Sequence, residues 1–141
     1  MSLTGTPAEA TALLASLRFA YRLVDEAEWA LAQEQGAYKG SALDEKDGFL
    51  HLSLPGEVLT TARLYYGAHA GPLLVLKVDL RAVPGAELRA DWVEGRKNFF
   101  PHIVGSAAGS FHVPTAAVAA VRTLTRAADG AWEGFNAAFE E

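Results

Sequence analysis

The chain has 141 residues, with 12 Lys and Arg against 17 Asp and Glu, which gives a net charge of −5. Half of the residues are hydrophobic and 21% are charged, so the composition excludes a disordered chain and predicts one compact domain. The acidic balance argues against nucleic acid as a partner, and the absence of cysteine excludes disulfides and thiolate chemistry.

The two ends of the chain are predicted to be extensions of a central domain. Residues 1–17 carry apolar side chains at near-helical spacing, so we predict an N-terminal helical extension that the fold does not need. Residues 18–126 are predicted to form a single domain. Residues 127–141 carry three aromatic residues at helical spacing, beginning with Trp132, which predicts a second helical extension docked on the domain.

The domain is predicted to open with a strand and a helix. Residues 19–24 are aromatic and aliphatic, which is typical of a strand. Asp25 and Glu28 have the spacing of a helix N-cap and its partner, and Gly36 suits a left-handed C-cap. We expect a polar loop over residues 39–47.

The next strand, predicted over residues 48–54, alternates between two faces. Its leucines fall on one face, which belongs to the core. Phe49, His51 and Ser53 fall on the other face. Pro55 then begins a further helix.

Four further strands are expected in the domain. They are predicted over residues 73–80, 87–93, 98–104 and 118–125. Pro101 would place the third of these at a sheet edge or bulge, because proline has no backbone N–H to donate. Strands grouped with inserted helices, without strict alternation, predict an α+β fold.

Two histidines carry the strongest chemical signal. The four histidines of the chain lack the spacing of a zinc site, so we predict no metal, and phosphate-loop and nucleophile-elbow motifs are missing. His51 shares a strand face with Phe49 and Ser53, which suits the floor of a cleft. The structural alternatives are that a backbone carbonyl satisfies His51, that His102 packs beside Pro101, and that Ser53 caps the following helix.

Three segments together resemble a known family. They read YRLV from residue 21, DGFLHLS from residue 47 and FPHIVG from residue 100. In this order and spacing they are similar to the bacterial domain-of-unknown-function family 952, a family with no settled activity. Its fold is similar to that of the ADP-ribosyltransferases: a split, bent antiparallel sheet with flanking helices and a cleft for NAD between its halves.

The resemblance implies a site in such a cleft. Arg22 matches the first-strand position that holds the dinucleotide, although the family often has His there, and His51 matches the second-strand position. From the residues alone, Arg22 either reaches a ligand or extends to solvent. We predict His51 and His102 as catalytic residues and six ligand-binding side chains: Tyr21, Arg22, Phe49, Ser53, Phe100 and Arg96.

The acidic and basic residues near these segments are less clearly placed. Glu57 and Glu94 are the acids near the motifs, and both are expected to be solvated. Arg96 and Lys97 are expected to be able to hold one small phosphate.

The predicted function is binding of NAD or a related nucleotide as a substrate, with no resident cofactor, and transfer or hydrolysis of ADP-ribose. The alternatives are a non-catalytic module for a small ligand and an interaction protein that pairs through its terminal extensions. An acidic side chain within reach of His51 would favour the enzyme; a cleft filled by Tyr65, Tyr66 or the Trp132 segment would favour the module. No apolar run can span a bilayer and the N-terminus lacks signal-peptide features, so we expect a soluble cytoplasmic protein with no membrane partner.

Overall fold

The computed structural model describes residues 5–136. Its helices and strands, in chain order, are α1 Pro7–Ser16, β1 Phe19–Asp25, α2 Glu26–Gln35, β2 Ala37–Tyr38, α3 Ala42–Asp47, β3 Leu50–His51, α4 Val58–Tyr65, β4 Leu73–Asp79, β5 Glu87–Val93, β6 Asn98–Gly105, β7 Val113–Pro114, β8 Val118–Arg126 and β9 Trp132–Glu133. Within the described range, no helix has the length and apolar character needed to cross a membrane.

The strands form two larger antiparallel sheets and one small pair. The strand order is β1-β4-β8-β9 in one sheet and β3-β6-β5 in the other, and β2 pairs with β7. The two larger sheets join where Tyr21 of β1 and Ser53 exchange two backbone hydrogen bonds of 2.8 Å. The result is a curled antiparallel sheet with packed helices, which confirms the predicted α+β class.

Strand β4 is the centre of the core. It has a neighbouring strand on each side, and all of its residues except the last are buried. On one face Leu76 packs in a cluster with Leu50 and Ile103 of the second sheet. On the other face Val75 packs in a cluster with Val58 of α4. The apolar surface buried on both faces therefore fixes the second sheet and α4 relative to β1.

Helix α2 begins and ends where the sequence predicts. The Glu28 N–H donates to the Asp25 carboxylate at 2.7 Å, and the Asp25 N–H donates to the Glu28 carboxylate at 3.2 Å. Gly36 ends the helix at a φ of 79°, in the left-handed region that glycine adopts without a steric penalty. This reciprocal capping holds α2 directly against the end of β1.

The prediction of a polar loop over residues 39–47 is wrong for most of that range, because α3 forms over Ala42–Asp47. Ser41 and Asp44 make a capping box at the start of α3, in which the Ser41 N–H donates to the Asp44 carboxylate at 2.6 Å. Gly48 ends the helix at a φ of 80°. The short helix places an acidic side chain at its first turn, where the helix dipole favours it.

The prediction that Pro101 lies at an edge or bulge is also wrong, since β6 is the middle strand of its sheet. The Pro101 carbonyl accepts the Leu52 N–H at 3.1 Å, but proline has no N–H to donate in return. The ladder between β3 and β6 ends at this point. The strand predicted over residues 48–54 is consequently only two residues long.

The helix predicted over residues 127–141 is not present in its described part. A turn at Gly130, with φ 88°, returns the chain to the end of β8, where β9 pairs with it. Trp132 is buried and donates from Nε1 to the Tyr66 carbonyl at 3.2 Å. The extension therefore docks as a strand. The remainder of the prediction, at residues 137–141, lies outside the described residues.

Candidate functional site

A cleft of about 680 Å³ opens between the two larger sheets. Its walls come from β1 and β3 at the junction of the sheets, from β5 and β6, and from α3 and α4. All of the side chains predicted for the site line this cleft: Tyr21, Arg22, Phe49, His51, Ser53, Arg96, Phe100 and His102. The fold thus brings together residues that are up to 81 positions apart, from 21 to 102.

Arg22 is fixed in one wall of the cleft by Asp44. Its two terminal nitrogens contact the two carboxylate oxygens of Asp44 at 2.9 and 2.7 Å. They also donate to the His51 carbonyl at 2.9 Å and to the Ser41 hydroxyl at 3.3 Å. Both terminal nitrogens are therefore already bonded. Arg22 does not extend to solvent, and the expected role of its guanidinium as a fork for a dinucleotide is at odds with this arrangement.

Asp44 is the buried acceptor at the centre of this wall, with no exposed surface. Besides Arg22, it accepts the Ser41 hydroxyl at 2.9 Å and the His51 backbone N–H at 3.0 Å. Burial by itself raises the pKa of Asp44, but the His51 ring and the Arg22 guanidinium outweigh burial and hold that pKa well below its usual range. The carboxylate is therefore ionised at neutral pH.

His51 bridges two carboxylates of α3. Its Nδ1 lies 2.7 Å from Asp44 Oδ1, and its Nε2 lies 2.9 Å from Asp47 Oδ2. One face of the ring approaches Phe49, with 4.7 Å between ring centroids. The acid within reach of His51 that would favour an enzyme is therefore present, and it is supplied by α3.

His102 forms a second histidine–carboxylate pair beside the first, on the strand that neighbours β3. Its Nδ1 lies 2.6 Å from Asp91 Oδ2, and its ring stacks on Phe49 at 4.3 Å with 24° between the planes. Burial lowers the pKa of His102, and the hydrogen bond to Asp91 only partly opposes this, so the imidazole is neutral at pH 7. Burial raises the pKa of Asp91, but His102 and Arg89 outweigh it and the pKa is lowered.

The basic residues of the loop between β5 and β6 are also paired. The Arg96 guanidinium lies 4.7 Å from the centre of the Phe100 ring and 2.5 Å from the Glu57 carboxylate, so Glu57 is not simply solvated. Glu94 is exposed, as expected, and it forms an ion pair with Lys97. Neither Arg96 nor Lys97 therefore presents an unpaired charge for the phosphate that the sequence suggested.

The remaining predicted residues form the floor of the cleft. Ser53 is buried and its hydroxyl lies 3.3 Å from that of Thr61 on α4, so it does not cap the helix after Pro55. Tyr21 is buried beside it, with its ring edge-on to Phe135 at 5.2 Å. These contacts fix the floor to α4 and to the C-terminal segment.

Asp44 and Asp91, the acids that hold the two histidines, were not among the predicted site residues. The signal for Asp44 was the S-x-x-D spacing from Ser41, which is typical of a capping box. The signal for Asp91 was the register of the β5–β6 hairpin, which sets Arg89 opposite His102 and puts Asp91 diagonally next to it on the same face. Both signals can be read from the sequence. The complete burial of Asp44 cannot, because it depends on the packing of distant residues.

The fold and the cleft define an α+β protein with a candidate ligand site between two antiparallel sheets. Residues 23–121 match the family model described as a protein of unknown function (DUF952), and the chain belongs to that family. Among curated proteins, none matches the chain.

Solved structures similar to this chain include protein CC0527 from Caulobacter crescentus. Its crystal structure is 30% identical in sequence, with a TM-score of 0.68, over 82% of this chain and 93% of that chain. The crystal structure of a double mutant gives the same values. The solution NMR structure is 27% identical, with a TM-score of 0.60, over 82% of this chain and 91% of that chain.

Proposed function

We propose that this protein binds NAD or a related nucleotide in the cleft and cleaves the bond between the ribose and the nicotinamide ring. In this proposal the two sheets form an ADP-ribosyltransferase-like scaffold. The observation that carries the proposal is the presence of two histidine–carboxylate pairs on an aromatic-lined cleft. A volume of about 680 Å³ is in the usual range for a site that binds a small molecule.

The charges that line the cleft suit the nicotinamide end of NAD⁺. Within the described residues the lining holds two guanidinium groups, those of Arg22 and Arg96, and three carboxylates, those of Asp47, Asp91 and Glu94. All five are in ion pairs or histidine contacts, so carboxylates outnumber guanidinium groups in the lining. A pyridinium ring carries a positive charge and is attracted both to carboxylates and to aromatic faces. In the proposal the cationic nicotinamide–ribose half therefore binds inside the cleft, with the pyrophosphate towards the solvent.

The proposed reaction breaks one bond and forms one. The bond from ribose C1′ to the ring nitrogen breaks, and its electron pair stays on the nitrogen, which becomes neutral nicotinamide. The oxygen of water or of an acceptor hydroxyl bonds to C1′ and one proton is released. Positive charge develops on the ribose as the bond breaks, so the Asp47 carboxylate beside His51 supports the reaction electrostatically.

The second candidate function is a non-catalytic module for a small ligand without phosphate. The observation that favours it is the pairing of Arg22 and Arg96, which leaves no unpaired guanidinium in the described lining for a pyrophosphate. Among residues 5–136 no side chain plugs the cleft in the way that would favour a module. Tyr65 and Tyr66 line the open space, and Trp132 lies outside the lining.

An amide chemical-shift titration tests the binding part of the proposal. We expect NAD⁺ and nicotinamide to give saturable shifts over residues 49–53 and 100–104, and ADP-ribose to give weaker ones. His51→Asn should abolish these shifts, because the ring would no longer join the two carboxylates of α3. His112→Asn is the matched control, because His112 lies outside the cleft lining. Absence of shifts at millimolar NAD⁺ would contradict the proposal.

The same samples test the chemistry through the proton signals of free nicotinamide. Release of nicotinamide by the wild-type protein and not by the protein-free control supports bond cleavage. Saturable binding without any release of nicotinamide would favour the module that binds a small ligand.

A further inference from the structure

We propose that Asp91 and His102 form a general-base dyad whose Nε2 atom takes the proton from the attacking water or acceptor hydroxyl. This inference rests on the proposed function and assigns the residue that accepts the proton released there. His102 is the catalytic residue of the dyad, and Asp91 is a positioning residue that acts through it.

The two ring nitrogens of His102 have different surroundings. Nδ1 is 2.6 Å from the Asp91 carboxylate, which is an acceptor only, so Nδ1 carries the hydrogen and Nε2 carries the lone pair. Among the described residues Nε2 has no hydrogen-bond partner, yet it is not one of the buried polar atoms left unsatisfied. Because His102 lines the cleft, Nε2 keeps access to it.

The orientation of the His102 ring is fixed from two directions. Asp91 is itself held by Arg89, whose Nε lies 2.8 Å from each carboxylate oxygen. Phe49 stacks on the His102 ring, and the Arg89 guanidinium lies 5.0 Å from the centre of the Phe49 ring. Rotation of the imidazole would break both the hydrogen bond and the stacking contact. A fixed ring with a defined tautomer is what a general base requires.

His51 cannot take this role without losing an existing contact. Its Nδ1 and Nε2 are both bonded, to Asp44 and to Asp47. His51 and His102 lie edge to face with 5.2 Å between ring centroids, so the two rings share one part of the cleft. The predicted pair of catalytic histidines therefore divides into His51, which joins two carboxylates, and His102, which exchanges the proton.

The protonation state of His102 at neutral pH is compatible with a base. The charged or titratable groups that face it are Asp91 and Arg89 on β5 and His51 on β3. Burial together with His51 and Arg89 favours the neutral imidazole more than Asp91 favours the charged one. In the reaction, the O–H proton moves to Nε2 as the oxygen bonds to C1′ and the bond to nicotinamide breaks. The proton then leaves Nε2 for solvent in the cleft.

The first test reads the tautomer from the ring-nitrogen chemical shifts of His102, which needs no turnover. In the wild-type protein near pH 7.5 we expect a hydrogen on Nδ1 and a bare Nε2. In Asp91→Asn we expect a mixture of tautomers, because the amide no longer fixes the hydrogen. A hydrogen on Nε2 in the wild type, or an unchanged tautomer in Asp91→Asn, would overturn the dyad.

The second test uses NAD⁺ turnover. We expect His102→Gln to lower kcat for nicotinamide release by about 100-fold, with the Kd for NAD⁺ within about twofold, and to remove the loss of rate at acidic pH. Asp91→Asn should lower kcat and alter the same pH profile, and His112→Gln should change neither. Wild-type kcat in His102→Gln would refute the dyad alone. A wild-type protein that binds no NAD⁺ would refute the proposed function. The ring-nitrogen chemical shifts would in that case still test the hydrogen bond and tautomer of the dyad.

Discussion

The carboxylate of Asp44 connects three side chains of the cleft wall: the Arg22 guanidinium, the Ser41 hydroxyl and the His51 imidazole. Asp44 has no exposed surface and the Arg22 side chain is only 10% exposed, so the ion pair is effectively removed from water. Buried charges of this kind are tolerated because each offsets the other, and removal of one leaves the other unpaired.

At the scale of the residue we predict that Asp44→Asn destabilises the protein by about 3–5 kcal/mol, because it leaves the buried Arg22 charge unpaired. Urea unfolding measures this as a lower transition midpoint. Asp47→Asn is the matched control. The Asp47 side chain is 35% exposed and its contact is with the exposed side of His51, so its loss should cost less than about 1 kcal/mol. Equal costs for the two substitutions would show that Asp44 does not stabilise the fold in this way.

At the scale of the element, the parts of the fold that follow from local pattern were predictable. The alternation around β3 predicts its leucines in the core and His51 facing elsewhere, and the structure has Leu50 and Leu52 buried while His51 lines the cleft. The capping residues of α2 predict both of its ends. These features depend on residues that are close in sequence, so one sequence is enough to predict them.

The elements that were missed depend on distant contacts. α3 is a short polar helix that is stabilised by the burial of Asp44 against Arg22, which lies on another element. β9 forms because the end of β8 offers free backbone groups, and the helical spacing of aromatic residues from Trp132 gives no sign of this. Helix α1 was predicted, but its contact with a distant residue was not: Ala10 and Leu14 are buried in a cluster with Leu54.

In the candidate site, too, the features set by local sequence were predicted and those set by distant contacts were not. The sequence identified the side chains of the cleft, but it assigned Arg22 to a ligand because nothing local predicts that Asp44 occupies its guanidinium. It also left both histidines without acids, although Asp91 follows from the register of one hairpin. A partner across a hairpin, such as Asp91, can be inferred from the sequence, whereas a partner on a separately packed helix, such as Asp44, cannot.

At the scale of the whole molecule, the shifted pKa values predict a loss of stability in acid. The pKa of His102 is lower in the folded state than in the unfolded state, where it is about 6.5. Below about pH 6.5 the unfolded chain therefore binds more protons than the folded chain, and the free energy of unfolding decreases as the pH is lowered. The lowered pKa of Asp44 stabilises the fold above about pH 4, and this contribution is lost as the pH falls further. We expect the melting temperature to fall between pH 7 and 5.5, and to fall less in His102→Gln. The same decrease in both proteins, or a rise in the wild type, would show that His102 is not buried in its neutral form.

In the proposed function, the cleft accepts the cationic nicotinamide–ribose end of NAD⁺. Isothermal titration calorimetry with NAD⁺ and NADH tests it most directly, because the two ligands differ mainly in the charge and planarity of the nicotinamide ring. The carboxylates and aromatic faces of the cleft predict tighter binding of NAD⁺ by about 1 kcal/mol or more, or roughly fivefold in Kd. Equal or tighter binding of NADH, or no heat of binding with either ligand, would contradict the claim.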